Sequence, residues 1–131
     1  MLQRMTRVVA GALLLSWNVV AQEQRQAGPP PYDVSHEKIV KAKVVGTDVI
    51  EPAPGRQMMY LKVTVDGKPV NVIMAPPDWI KKQNFVFTAG AAADVTGIAG
   101  YRLNGEAIMA RKIVIGGKTL TLRSDDGKAL W

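Results

Sequence analysis

Few side chains in this chain could do chemistry, and they are widely separated. His36 is the single histidine, and one imidazole without cysteine or a carboxylate motif beside it makes a poor metal site or base. Met58, Met59, Met74 and Met109 carry thioethers, the soft ligands that suit Cu(I). Adjacent strand residues point to opposite faces, so Met58 and Met59 cannot act together. Met59 and Met74 instead continue apolar stripes and read as core filler. Asp125 and Asp126 are adjacent carboxylates, but Asp-Asp-Gly is ordinary turn chemistry and calcium needs about six or more oxygens. Neither Ser35 nor Ser124 lies in a G-x-S-x-G or S-x-x-K setting. Gly116-Gly117-Lys118-Thr119 has a Lys-Thr pair without the upstream glycine spacing of a phosphate loop. With no cysteine, disulfides, zinc–thiolate and iron–sulfur sites, covalent c-type haem and thiol nucleophiles are excluded. No catalytic residue, metal ligand or cofactor site is assigned.

A binding surface is the remaining possibility, and it depends on strands. Val40, Ala42 and Val44 alternate with Lys41 and Lys43 and end at Gly46. Met59, Leu61, Val63 and Val65 alternate with Tyr60, Lys62 and Thr64, the two-residue period of a strand with one face in a core. Asp66-Gly67 signals a tight hairpin, and the return strand runs from about Lys68 to Met74. The period then breaks at Ala75-Pro76-Pro77-Asp78-Trp79-Ile80-Lys81-Lys82-Gln83. Proline suits a first helical turn, Asp78 suits the helix start, and Lys81 and Lys82 suit its end, so a helix of about two turns is expected. Strand signals return over Ala93 to Tyr101. Asn104-Gly105 marks a second hairpin, Ala107 to Ile115 returns, and Lys118 to Arg123 adds a last strand after Gly116-Gly117.

Three strands, a short helix and two strands, with one strand added, predict an all-β fold. It is a small five- to six-stranded OB-like Greek-key barrel with one helix between strands three and four. Gly46, Gly97 and Gly100 fall where such a barrel must bend. A flat meander with a packed helix is the alternative. Tyr60 and Lys62 project from the non-core face of the second strand, and Tyr101 and Arg102 lie beside the Asn104-Gly105 hairpin. In that fold this is the usual binding face, and an aromatic beside a cation can stack a base, a sugar or a peptide group. Trp79 is expected to plug one barrel end, and Trp131 to pack against it. The last strand pair is expected to leave an edge open to a partner strand.

Arg4 and Arg7 precede an apolar run from Val8 to Val20 that closes at Ala21. This is the form of a secretory signal peptide, and the run is shorter than the roughly 20 residues of a membrane span. Three regions follow: residues 1–21 as signal, 22–35 as a tether carrying Pro29, Pro30 and Pro31, and 36–131 as the domain. Cleavage after Ala21 would remove two of 17 basic residues and none of 11 acids, leaving a net charge of +4. The basic residues are scattered, so no nucleic-acid stripe is present. No transmembrane segment is expected in the mature chain, and its place is periplasmic or secreted.

The run Met74-Ala75-Pro76-Pro77-Asp78-Trp79 through Phe85 resembles the G-P-x-W-Y-x-x-x-Q element of a family of small exported bacterial domains. Ala89 to Gly97 is similar to its G-D-x-V-x-V-T-G element, and Arg111 to Trp131 to its R-E-V-x-K-G-x-x-x-L-x-L-R-D-x-x-G-x-P-x-W ending. Ala75 replaces a glycine, Pro77 is extra, and Ala91-Ala92 stand where Gly-Asp is usual. This is the domain of magnetosome-associated proteins of the MamS and MamX type, found also in bacteria without magnetosomes. The resemblance covers roughly residues 58–131 and implies a fold and an envelope location; it carries over no catalytic residue. The leading reading is a non-enzymatic exported binding module that docks on another envelope protein or a small ligand. Two alternatives remain. One is copper, iron or haem handling as an accessory protein. The other is binding of single-stranded nucleic acid or oligosaccharide, against which export and the low aromatic content weigh.

Overall fold

The computed structural model describes residues 32–131. Residues 1–21, expected as a signal peptide, and residues 22–31 of the expected tether lie outside the described residues. The folded unit begins at Tyr32, so the last four residues assigned to the tether belong to it. Val34–His36 form a 3-10 turn capped by the Asp33 carboxylate, which accepts from the Ser35 amide.

Six strands and one short helix follow: β1 (Lys38–Ala53), β2 (Arg56–Val65), β3 (Lys68–Ala75), α1 (Pro77–Lys82), β4 (Ala92–Arg102), β5 (Glu106–Ile115) and β6 (Lys118–Thr121). They form one mostly antiparallel sheet in the order β3-β2-β1-β4-β5-β6, with an added parallel pairing of β3 to β5. Following the pairings from β1 through β2, β3, β5 and β4 therefore returns to β1. β1 can serve two neighbours because it is long. Lys38 to Lys43 pair with β4, and Lys43 to Ala53 pair with β2.

The hairpins at Asp66-Gly67 and Asn104-Gly105 form where the sequence marks them, with Asp66 and Asn104 both in the left-handed region. A hairpin that the alternation did not reveal closes at Pro54-Gly55, so β1 and β2 extend well past the sheet they share with β4 and β3. Pro52 is tolerated in β1 because β4 pairing has already stopped at Lys43 and that edge needs no donor there.

Leu61, Val63, Val72, Met74, Val95, Ile113 and Leu122 form the fully buried centre, each burial stabilising by roughly 1.5–3 kcal/mol. The expected stripes of β2 and β3 supply most of it. Irregular register at Val44/Gly46, Thr96/Gly97 and Ala99/Tyr101 bends β1 and β4 around this core. At Gly97 a Cβ would strike the Met109 carbonyl and come within 2.8 Å of the Ile108 methyl, so the closeness of β4 to β5 requires glycine. Trp79 on α1 packs against the core, and Trp131 meets it edge-on with ring centroids 6.1 Å apart.

Candidate functional site

The four residues expected to form a binding face do not make one cluster. Tyr60 lies opposite Leu61 as the period demands, yet it is only 5% exposed. Its hydroxyl is 3.4 Å from Asp48 on the paired position of β1. Lys62 reaches the same carboxylate at 3.4 Å, so Asp48 occupies both. The Val49 amide, and then Lys62, hold the Asp48 carboxyl below its ordinary value. Tyr101 is half-buried and Arg102 exposed at the end of β4. The register steps from Lys62 to Asn71, Ala107 and Tyr101 through β2, β3, β5 and β4, which puts the two pairs roughly 14 Å apart along the sheet.

The other candidates separate similarly. His36 is exposed, with its Nδ1 3.6 Å from Asp33. Met74 is in the core, Met59 packs against it, and Met58 faces a cleft described below. Among the described residues, no three His, Cys, Asp or Glu side chains are placed to hold a metal ion. Asp125-Asp126-Gly127 is a turn, in which the Gly127 amide donates to the Ser124 carbonyl at 2.8 Å.

Two regions concentrate unusual geometry. The first is a clasp that ties Tyr32 to the segment after β6. One oxygen of Glu37 accepts from both the Tyr32 hydroxyl and the Arg111 Nε. Arg111 also reaches Asp125 at 3.3 Å. Burial alone would raise the Glu37 carboxyl, but hydrogen bonds from Arg111 and Tyr32, with the Arg111 charge, outweigh it and hold it below the usual range. The same bond raises Arg111. Burial first, then the Glu37 hydrogen bond and charge, push the Tyr32 phenol up. Beside it the Arg123 guanidinium sits between two rings, 5.1 Å from Tyr32 and 5.2 Å from Trp131. It donates to the Gly127 carbonyl at 2.9 Å, and its Nε is buried without a partner. Burial lowers its pKa, and the two ring faces compensate its charge in place of a carboxylate. Gly127 has φ +90°, and a Cβ there would come within 2.9 Å of Tyr32. Arg111, Arg123, Gly127 and Trp131 of the tail motif thus have one shared task, holding the chain's entry and its last segment together.

The second is an open cleft of about 550 Å3 beside the β1–β2 hairpin. Pro52, Arg56, Gln57, Met58, Pro76 and Trp131 line it. β2 pairs with β3 only as far as Met59↔Ala75, and Pro76 cannot donate a further bond. The outer edge of Arg56–Met58 therefore faces the cleft without a strand beside it. A smaller cleft of about 260 Å3 adjoins through Gly55, Gln57 and Pro76 and adds Glu51, Pro77 and Asp78. The sequence carries signals for Pro76 and Trp131 here and marks Met58 only as a thioether; Arg56 and Gln57 carry none, because the Pro54-Gly55 hairpin that presents them is not legible as strand.

No curated protein and no solved structure matches this chain. The family model for the MamS/MamX magnetosome protein family matches residues 37–120, the stretch that carries all six strands but for the final residue of β6. With well over half its length in that match, the chain belongs to the MamS/MamX magnetosome protein family.

Proposed function

We propose that this chain is a non-enzymatic, exported accessory module that docks on another envelope protein through the cleft beside the β1–β2 hairpin. The ring of strand pairings and the helix between β3 and β4 support a small OB-like barrel as its scaffold, in which the loop after the first strand is a customary binding element. The basic leader at Arg4 and Arg7 with its short apolar run supports export, with Gln22 as the first mature residue.

The observation that carries the docking role is the unpaired β2 edge at Arg56–Met58, walled by Pro76 and Trp131. This edge is three residues long and includes Arg56, and it is flanked by the apolar and aromatic surface of Pro52, Pro76 and Trp131, which a partner strand could cover together with it. The carboxylates best placed for acid–base work are engaged elsewhere: Glu37 with Arg111 and Tyr32, Asp48 with Lys62. A general base must be free to take a proton near pH 7, and lowered carboxyls locked to cations are poorly suited to that.

Recovery of the tagged full chain from its native envelope, beside a Met58→Lys variant, tests the reading. One stoichiometric partner with the parent chain, lost with the variant, is expected. Free chain alone, or equal recovery with both, would contradict it.

A further inference from the structure

The β2 edge that faces the cleft ends in backbone, and backbone groups at a sheet edge are best matched by another extended backbone. β3 already pairs with β2 up to Met59↔Ala75 and then turns away at Pro76 into α1. An incoming segment would take the place β3 vacates, beside Arg56, Gln57 and Met58. Its side chains would meet two different surfaces. One is the larger cleft, where Pro52, Met58, Pro76 and Trp131 offer apolar and aromatic contact. The other is the smaller cleft, reached through Gln57 and Pro76, where Glu51 and Asp78 stand.

Those two acids line one cleft and, among the described residues, have no cation beside them. Asp33, Glu37, Asp48, Asp94, Asp125 and Asp126 each have a basic group within 4.0 Å. Among the described residues, Glu51, Asp66, Asp78 and Glu106 have none, and of these four Glu51 and Asp78 line the same cleft. In a chain with a net positive charge, a pair of uncompensated carboxylates beside an apolar cleft selects for a cation in the occupant.

We infer that the occupant is an extended segment of a partner polypeptide that adds a strand to β2 at Arg56–Met58, seats an apolar or aromatic side chain against Trp131 and Pro76, and presents a lysine or arginine to Glu51 and Asp78. The inference rests on the docking role proposed above and gives it a substrate class. Main-chain bonds supply the grip, and the two clefts supply the selectivity.

Its test uses the full chain, isotope-labelled, and a synthetic peptide, acetyl-Thr-Val-Trp-Lys-Val-Thr-amide, followed by amide chemical shifts. Saturable shifts centred on Arg56–Met58, Glu51 and the Trp131 indole are expected. Methylating alternate peptide nitrogens removes main-chain donors and should weaken binding by at least about tenfold. Replacing the peptide lysine by norleucine, or pairing Glu51→Gln with Asp78→Asn, should each weaken it by roughly fivefold, the scale of an exposed ion pair. The two changes together should cost no more than either alone.

Equal binding of the methylated peptide would overturn strand addition. Indifference to the lysine would overturn the role of Glu51 and Asp78. Absence of binding to about 1 mM, a millimolar limit well above useful affinity, or shifts centred on β6, would overturn the inference as a whole. A partner that is recovered from the envelope and lost on Met58→Lys would in that case leave the docking role standing, whereas recovery of free chain alone would end both.

Discussion

The clasp around Arg123 and the cleft beside the β1–β2 hairpin share Trp131 and differ in what they leave unpaired. In the clasp nearly every polar group is spent. Glu37 takes two donors, Arg111 reaches two carboxylates, and Arg123 is covered by two rings. In the cleft a strand edge and two carboxylates have no partner within the described residues. Perturbed ionisation is often a mark of function. Here it gathers in the clasp, where its causes are burial and fixed internal bonds. The comparison teaches that ionisation shifts mark where the fold is tied, while spare bonding capacity marks where a partner can be received.

Substitutions should separate the two regions. The largest effect is expected from Arg111→Met. It removes the cation hydrogen-bonded to Glu37, whose side chain is 14% exposed, a loss of about 3 kcal/mol. Thermal unfolding should fall by roughly 10 °C or more for a domain of this size, while peptide binding below that transition stays unchanged.

Gly127→Ala should follow, at about 2 kcal/mol, because the residue has φ +90° and a Cβ would press on Tyr32. It too should spare the cleft. Trp131→Ala should cost a similar ~2 kcal/mol through the lost contacts with Trp79 and Arg123. It is the variant expected to damage both stability and docking, and an effect on only one of them would break the link drawn between the regions.

Acid should act on the clasp first. The folded-state carboxyl of Glu37 is lowered from 4.5, so its contribution is complete above that pH and is lost as pH falls through the lower folded value. Melting temperature should hold steady from pH 7 to about 5 and decline below about 4.5. Glu37→Gln should flatten that decline. The smallest effect on stability belongs to the paired Glu51→Gln and Asp78→Asn changes, expected within about 0.5 kcal/mol of the parent, with their consequence read in binding alone.

Much of this architecture was legible because it rests on local pattern. The alternation of Met59, Leu61, Val63 and Val65, the Asp66-Gly67 and Asn104-Gly105 turns, and the proline-led helix all encode short-range geometry. The burial of Tyr60 is not legible in the alternation, since it depends on the neighbouring strand that brings Asp48 over it. The hairpin from Thr47 to Met58 is not legible because Pro52 and Pro54 interrupt the alternation. Pro54 belongs to the turn itself. Only a strand edge with no neighbour tolerates Pro52, and neighbours are a property of the fold. The edge expected at the last strand exists, since β6 ends the sheet order, and local pattern does not distinguish it from the edge at Arg56–Met58, whose walls Pro76 and Trp131 are brought there only by the fold.

The most direct test places a photoreactive amino acid at Gln57 of the cleft edge and, separately, at Lys118 of the β6 edge, in the full chain within its native envelope. A single cross-linked partner from position 57 and none from position 118 is predicted. Equal products from both positions, or a partner captured only from 118, would contradict the assignment of docking to the cleft.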